Sequence, residues 1–355
     1  MEKSGLLQQF MLRSALVVLL LALSGCALVP PEPPVPEPTT IPEPEPAPEL
    51  APAPVIEEPP VVEPAPITKP PAMPEPVAAR VAIVLTNSLP AYTDVATKLV
   101  AYLDDYSIYD LAERNKSPRQ VFAEIADSEA QLVVAIGLQA AKVARSFATV
   151  PVIFSQVFNV SENDLVSDQI KGVAVLPPLD LQVQAWRQMD PNLHNIGAIF
   201  GEGHEDLIAE AEQAMSERGI NFHYAVARSD REALYHFKRL IRDIDGYLLF
   251  PDNRILSREV FTEIMSDAAR HRIQVAVFNE SLLKHGATFS ASSVDSNIAD
   301  KITIALNAIV KGYIDDIASL IPLSEIRIQI NPAMVEIFGL QVTGAEIGNS
   351  VAEAQ

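Results

Sequence analysis

Four polar residues stand just beyond two apolar runs: Asp252 and Asn253 follow the run 247–250, and Asn279 and Glu280 follow 275–278. Carboxylates and amides placed together can hold a small polar ligand by ordinary and charge-assisted hydrogen bonds. Asp252 and Glu280 also have the groups for acid–base catalysis, but no machinery accompanies them. His194, His204, His223, His236, His271 and His285 are scattered, and no pair has the i, i+4 spacing of a helical metal site. The chain contains neither a GxSxG elbow nor a P-loop. These residues are therefore read as binding groups, with no catalytic residue, cofactor or metal. Two further loops carry candidates. Ser88 in Thr86-Asn87-Ser88, with Tyr92 one helical turn on, is either a ligand contact or a helix cap. The turn 201–206 (GEGHED) joins a strand to a helix, where free N–H groups at Gly203 would favour a ligand carboxylate. Glu202, Glu205 and Asp206 could equally offset the helix dipole by themselves. With Asp206 where a third glycine belongs, the turn is not a dinucleotide fingerprint.

These candidates need strands that end at one edge of a sheet. From Arg80 the sequence alternates apolar runs with amphipathic stretches. Strands are expected at 80–86, 106–111, 131–136 and 151–155, with helices at 91–103, 118–127 and 138–147. The order then repeats, with strands at 195–200, 222–227, 246–250 and 274–278 and helices at 204–218, 230–242 and 255–270. A strand at 287–291, a helix at 296–312, a strand at 326–330 and a short helix at 332–338 close the chain. Fully apolar strands separated by helices imply parallel sheets covered on both faces. The predicted fold is α/β, two Rossmann-like doubly wound lobes joined by a hinge of several crossings. Ligands of such sheets sit beyond the carboxyl ends of the strands. Trp186, at helical spacing from Val183 and Met189, is read as core.

The N-terminal part has another character. Lys3 and Arg13 precede the apolar run 15–23, and Leu23-Ser24-Gly25-Cys26 follows. The run is about half of the roughly 20 residues a membrane-crossing helix needs, so it reads as a secretory signal. LSGC resembles the bacterial lipobox, which implies that Cys26, the sole cysteine, becomes a lipidated N-terminus in the bilayer. Met1 or Met11 would serve as its start. Ala27 after the cysteine favours the outer membrane of a Gram-negative host. Residues 27–78 hold 20 of the 29 prolines and nine Glu against one Lys. Such a tract favours extended polyproline II at about 3.1 Å per residue, a linker reaching on the order of 150 Å. The formal charge of −20 argues against nucleic acid as a partner. The expected organisation is a signal peptide at 1–25, the lipidated cysteine and Pro/Glu-rich disordered linker at 26–78, and two lobes. Lobe 1 takes 79–176 and about 292–322, lobe 2 takes 177–291 and about 323–345, and 346–355 form a flexible tail.

Residues 80–345 resemble the substrate-binding proteins of bacterial ABC importers, of the tryptophan- and tyrosine-binding lipoprotein type. The resemblance rests on AIGLQAAKVA (135–144), VPVIFSQVFN (150–159), KGVAVLPPLDLQVQ (171–184), LLFPDNRILS (248–257), VAVFNESLLKHGATFSASSVD (275–295) and the tail IRIQINPAMVEIFGLQV (326–342). PDN followed by NES is its most specific part. It implies a type I periplasmic-binding fold that closes by hinge motion on a ligand. By that resemblance Leu138, Gln139, Gln156 and Asn159 join Ser88, Tyr92, Gly203, Asp252, Asn253 and Glu280 around the ligand. The family's Thr-Pro-Ala-Ala stands here as Leu138-Gln139-Ala140-Ala141, and Asn159 replaces an Asp. A ligand ammonium would then take its counter-charge from Asp252, Glu280 or Asp295. The expected function is a periplasmic, lipid-anchored capture protein of an ABC-type import system. It would hold a small polar or aromatic amino-acid-like ligand and dock on a permease. The alternative is an outer-membrane-tethered interaction or regulatory module that uses the same fold within an envelope complex, without transport. The long stalk favours that alternative.

Overall fold

The computed structural model describes residues 74–113, 115–342 and 350–353. The expected signal peptide, Cys26 and nearly all of the expected linker lie outside the described residues. The first sheet is built from β1 (Val77–Leu85), β2 (Leu103–Asp110), β3 (Leu132–Ile136), β4 (Val152–Ser155), β5 (Ile170–Val173) and β11 (Leu320–Ile321). Its spatial order is β11-β5-β4-β3-β1-β2, and every pairing is parallel. The second sheet contains β6 (Asn195–Gly201), β7 (Asn221–Ala227), β8 (Gly246–Leu248), β9 (Gln274–Val277), β10 (Phe289–Ser292), β12 (Glu325–Ile330) and β13 (Ser350–Glu353). Their order is β13-β12-β10-β9-β8-β6-β7, parallel except for the antiparallel pairs of β12 with β10 and with β13. The two mostly parallel sheets with alternating helices have the expected fold class.

Helices cover both faces of each sheet, which is why the central strands show no polar alternation. In the first sheet Val81–Leu85 and all of β3 are buried. One face is packed by α1 (Pro90–Leu99) and α8 (Asp295–Val310) through Val95, Leu99, Ile298 and Ile302. The other is packed by α2 (Pro118–Asp127) and α3 (Leu138–Phe147) through Phe122, Ile125, Ala140 and Ala144. In the second sheet α4 (Leu179–Met189) and α5 (Glu205–Ser216) cover one face, and α6 (Asp230–Leu240) and α7 (Arg258–His271) the other. Trp186 is buried as core, and its indole N–H donates to Gln274 Oε1 at 2.7 Å. Gly246 makes room for it, since a Cβ there would lie 2.5 Å from the indole ring. The short α9 (Pro332–Phe338) is capped by Asn331 and stopped by Gly339 in the left-handed region.

Several boundaries differ from the sequence reading. β1 starts at Val77, which is fully buried, three residues before the apolar run that predicted it. The predicted helix 91–103 ends at Leu99 and tightens into a 3-10 turn at Val100–Tyr102, so β2 begins at Leu103. β5 and β11 were not expected, being short and free of a long apolar run. The chain passes between the sheets after β5, between β10 and α8, and after β11. Residues 174–178, 293–294 and 322–324 are therefore the three connections about which the lobes can hinge.

Candidate functional site

A cavity of about 470 Å³ opens where the two sheets meet, within the range typical of small-ligand sites. Each lobe and the hinge contribute to it. The first lobe supplies Pro90, Ala91 and Asp94 from the start of α1, and Gln156 and Phe158 from the segment after β4. The second lobe supplies Pro251, Phe278, Glu280 and Ser292, while Val175 and Ser293 come from the crossings. Local chemistry sets these positions. Pro90 occupies the first turn of α1, where its missing N–H costs nothing. Asn279 caps a 3-10 turn by accepting the Ser281 N–H at 2.9 Å, and this holds Glu280 at the rim. Gln156 adopts φ 59°, a left-handed turn that ends β4.

Charge in the cavity is uneven. Asp94, Glu280 and Asp295 line it, with Arg327 as the sole cation among its lining residues. Burial pushes the Asp295 carboxyl above its ordinary range; Arg327 and Lys98 pull it down, and Asp94 pushes it further up. Arg327 lies on β12 directly opposite Ser292 of β10, so the antiparallel register carries its side chain to the hinge. Neither sequence pattern nor resemblance singled out Arg327, Asp94, Pro90 or Phe278. The available signals were an arginine inside the apolar alternation of 326–330 and an acid one turn into a proline-started helix.

Of the predicted contacts, Gln156, Glu280 and Asp295 line the cavity, and the others sit elsewhere. Asp252 stands furthest from its expected setting. It is buried, its Oδ1 accepts from the Arg254 backbone N–H at 3.0 Å and Nε at 2.9 Å, and its Oδ2 accepts from Arg254 Nη2 at 2.6 Å. His204 Nε2 lies 3.2 Å from the same Oδ2. Burial raises the carboxyl, but hydrogen bonds from His204 and Arg254 outweigh it and hold Asp252 well below the usual range. Gly201, at the end of β6, makes space for this carboxylate, because a Cβ there would lie 2.2 Å from Oδ2. Asp252, one of the three expected counter-charges beside Glu280 and Asp295, is thus already paired within the protein. Arg254 Nη1 also reaches Glu162 Oε2 of the other lobe at 2.9 Å, and the His204 ring packs on Phe158 at 4.7 Å between centroids. These two contacts fasten the lobes on the far side of Phe158.

The remaining candidates have local duties or lie off the cavity. Ser88 does not cap α1, whose N-cap is Leu89; its hydroxyl donates to Asp110 at the end of β2. Tyr92 packs against the core, and its ring lies 2.9 Å from where a Cβ on Gly137 would stand. Gly137 has φ 92° and leaves room for Thr86 Oγ1, which accepts the Ala140 N–H at the start of α3. Leu138 packs under the sheet and Gln139 is exposed, so neither reaches the cavity. Asn159 accepts the Asn163 side-chain N–H at its backbone carbonyl, and its own Oδ1 is buried without a partner. Asn253 is exposed. Gly203, at φ 84°, lines a smaller pocket of about 200 Å³ beside His204 and Leu207. Among the described residues no group of three or more His, Cys, Asp and Glu is gathered to hold a metal.

Two parallel-sheet lobes with three hinge connections and a polar cavity between them define a two-lobed binding protein of the type I periplasmic-binding fold. The chain belongs to the ABC transporter substrate binding protein family, whose pattern matches residues 103–344. This is a family of substrate-binding proteins rather than of enzymes. Solved structures share the fold at low identity. A conserved domain protein of Vibrio cholerae is 18% identical with a TM-score of 0.51, covering 77% of this chain and 98% of its own. A Streptococcus pneumoniae ABC domain in complex with L-Trp is 16% identical with a TM-score of 0.53, covering 77% and 98%. The ligand-free, open structure of a Clostridium difficile substrate-binding protein with adhesive properties is 15% identical with a TM-score of 0.57, covering 78% and 100%. Among curated proteins, none has a sequence that matches this chain. Among the described residues no helix is long and apolar enough to cross a membrane.

Proposed function

We propose that this protein is the extracytoplasmic, lipid-anchored capture component of an ABC-type import system, taking a small polar solute between its lobes and delivering it to a permease. The carrying observation is the 470 Å³ cavity, lined from both lobes and from the hinge. A ligand that touches both lobes binds the closed form better than the open one and so shifts the population towards closure. Its site is made by Gln156, Phe158, Glu280 and Asp295 together with Arg327, and not by Asp252. The pneumococcal relative was solved with L-Trp, which supports a solute of amino-acid size. The periplasmic location and the anchor rest on Cys26 and the signal before it. Cys26→Ser should leave the full chain unprocessed or free of the membrane fraction; continued membrane fractionation would rule out the lipid.

A second reading is favoured by the Glu162–Arg254 bridge and the tilted Phe158–His204 ring contact, which join the lobes without any solute. On that reading the lobes act as one body, an outer-membrane-tethered regulatory module of an envelope complex. A screen of small solutes by thermal melting of the full chain separates the two. A bound solute at 100 times its dissociation constant stabilises the fold by about 2.7 kcal/mol, and a flat screen on folded protein favours the module.

A further inference from the structure

The cavity's charges are unpaired in a way that points to what fills it. Asp94, Glu280, Asp295 and Arg327 all line it, and among the described residues none of the four makes an ion pair or a side-chain hydrogen bond. Asp252 shows the contrast, with every carboxylate oxygen occupied from within the chain. Arg327 acts on Asp295 only at longer range, as does Lys98 of α1, and neither closes on it. A zwitterionic solute with no net charge would place its carboxylate against Arg327 and its ammonium against one acid. Two carboxylates would then stay uncompensated in a closed cleft, where unpaired charge is costly. The cavity also presents one phenyl ring from each lobe, Phe158 after β4 and Phe278 after β9. Aromatic faces attract amine and guanidinium groups, more strongly when water is excluded.

We infer that the solute is an organic cation, an amine or guanidinium compound of net positive charge such as a basic amino acid or a diamine. Glu280 and Asp295 supply its counter-charge, and Phe158 and Phe278 flank its stem. The inference rests on the solute-binding reading above and specifies its chemistry.

The test is titration calorimetry on the full chain at fixed ionic strength, with L-arginine, L-lysine and putrescine set against L-tryptophan, L-leucine and L-glutamate. At least one cation should bind ten times or more tighter than any neutral or anionic probe. Glu280→Gln and Asp295→Asn should each weaken that cation by roughly 10- to 100-fold, the cost of losing a hydrogen bond to a charged group. Glu212→Gln, an exposed acid on α5 away from the cavity, should leave the affinity unchanged. Melting curves of the variants keep binding separate from folding. A neutral or anionic probe that binds as tightly as the cations overturns the cation assignment while leaving solute capture intact. Equal cation binding by wild type and both cavity variants also overturns it, since general acidity would then explain the binding. No heat from any probe overturns the cation assignment, and only a flat thermal-melting screen over the wider set of solutes overturns solute capture as well.

Discussion

The two groups of acids at the meeting of the lobes differ in one respect that decides their roles. Asp252 is surrounded by donors from its own chain, Arg254 two residues on and His204 from the neighbouring strand end. Asp94, Glu280 and Asp295 stand around open space with no such donors among the described residues. Both groups lie beyond the carboxyl ends of parallel strands, the position from which ligand contacts are ordinarily inferred. Position beyond a strand end is therefore insufficient to mark a ligand contact; an unfilled hydrogen-bonding capacity is also needed. On the proposed function the first group serves as a structural clamp and the second as a receiving surface.

The largest effect that could break this comparison is at Asp252. Asp252→Ala leaves the Arg254 guanidinium and His204 without their anion at a buried site, and removing one partner of a buried pair costs about 3 kcal/mol or more. Urea unfolding of the variant should show that loss. A change within 0.5 kcal/mol of zero, at roughly the level of ordinary surface substitutions, would refute the clamp. The pH dependence has a defined sign. The folded-state pKa is depressed, so this stability is fully present above the unfolded value of about 3.9 and is lost only as pH falls through the lower folded value. Variant and wild type should therefore stay apart at neutral pH and converge only in strong acid.

The doubly wound lobes were legible because burial on both faces leaves strands as unbroken apolar runs, as in 81–85 and 132–136. β5 escaped notice because it is only four residues long and includes Lys171, and β11 because it has two residues. Glu280 was legible as a polar residue beyond a strand end, and Asp295 entered only through the family resemblance. The fate of Asp252 was not, because His204 is 48 residues away and Glu162 lies in the other lobe. Ser88 shows the same limit, since the acceptor that claims its hydroxyl is 22 residues downstream. Periodicity reports which face of an element is buried; it carries no record of which side chains meet across a cleft.

A smaller effect tests how firmly the clamp joins the lobes. The Glu162 side chain is 44% exposed and that of Arg254 25%, so the bridge is screened by solvent and contributes about 0.2–1 kcal/mol. Glu162→Gln should lower the melting temperature slightly and shift small-angle scattering of the solute-free chain towards more open forms. The Asp252–Arg254–His204 contacts lie within one lobe and should persist. Scattering identical to wild type would assign lobe closure to the Phe158–His204 ring contact and the hinge alone.

The smallest expected change is the most diagnostic, because its sign opposes the first. Asp295 has a folded-state pKa raised mainly by burial, so its charged form is held less well in the fold than in the unfolded chain. The folded state then binds more protons between the unfolded pKa and the raised folded value, and stability falls as pH rises through that window. Above it the ionised carboxylate is a standing cost. Asp295→Asn removes the charge while keeping the shape, so the solute-free protein should gain stability at neutral pH, on the order of 0.5 kcal/mol after solvent screening. The gain should vanish below about pH 4, where wild-type Asp295 is itself protonated. A receiving surface kept unsatisfied for its ligand should lose function as it gains stability. Asp295→Asn should therefore melt higher than wild type without solute and lower than wild type when both are saturated at the same solute concentration. If the variant is less stable without solute, Asp295 belongs with Asp252 among the structural acids, and the division between clamp and receiving surface fails at that residue.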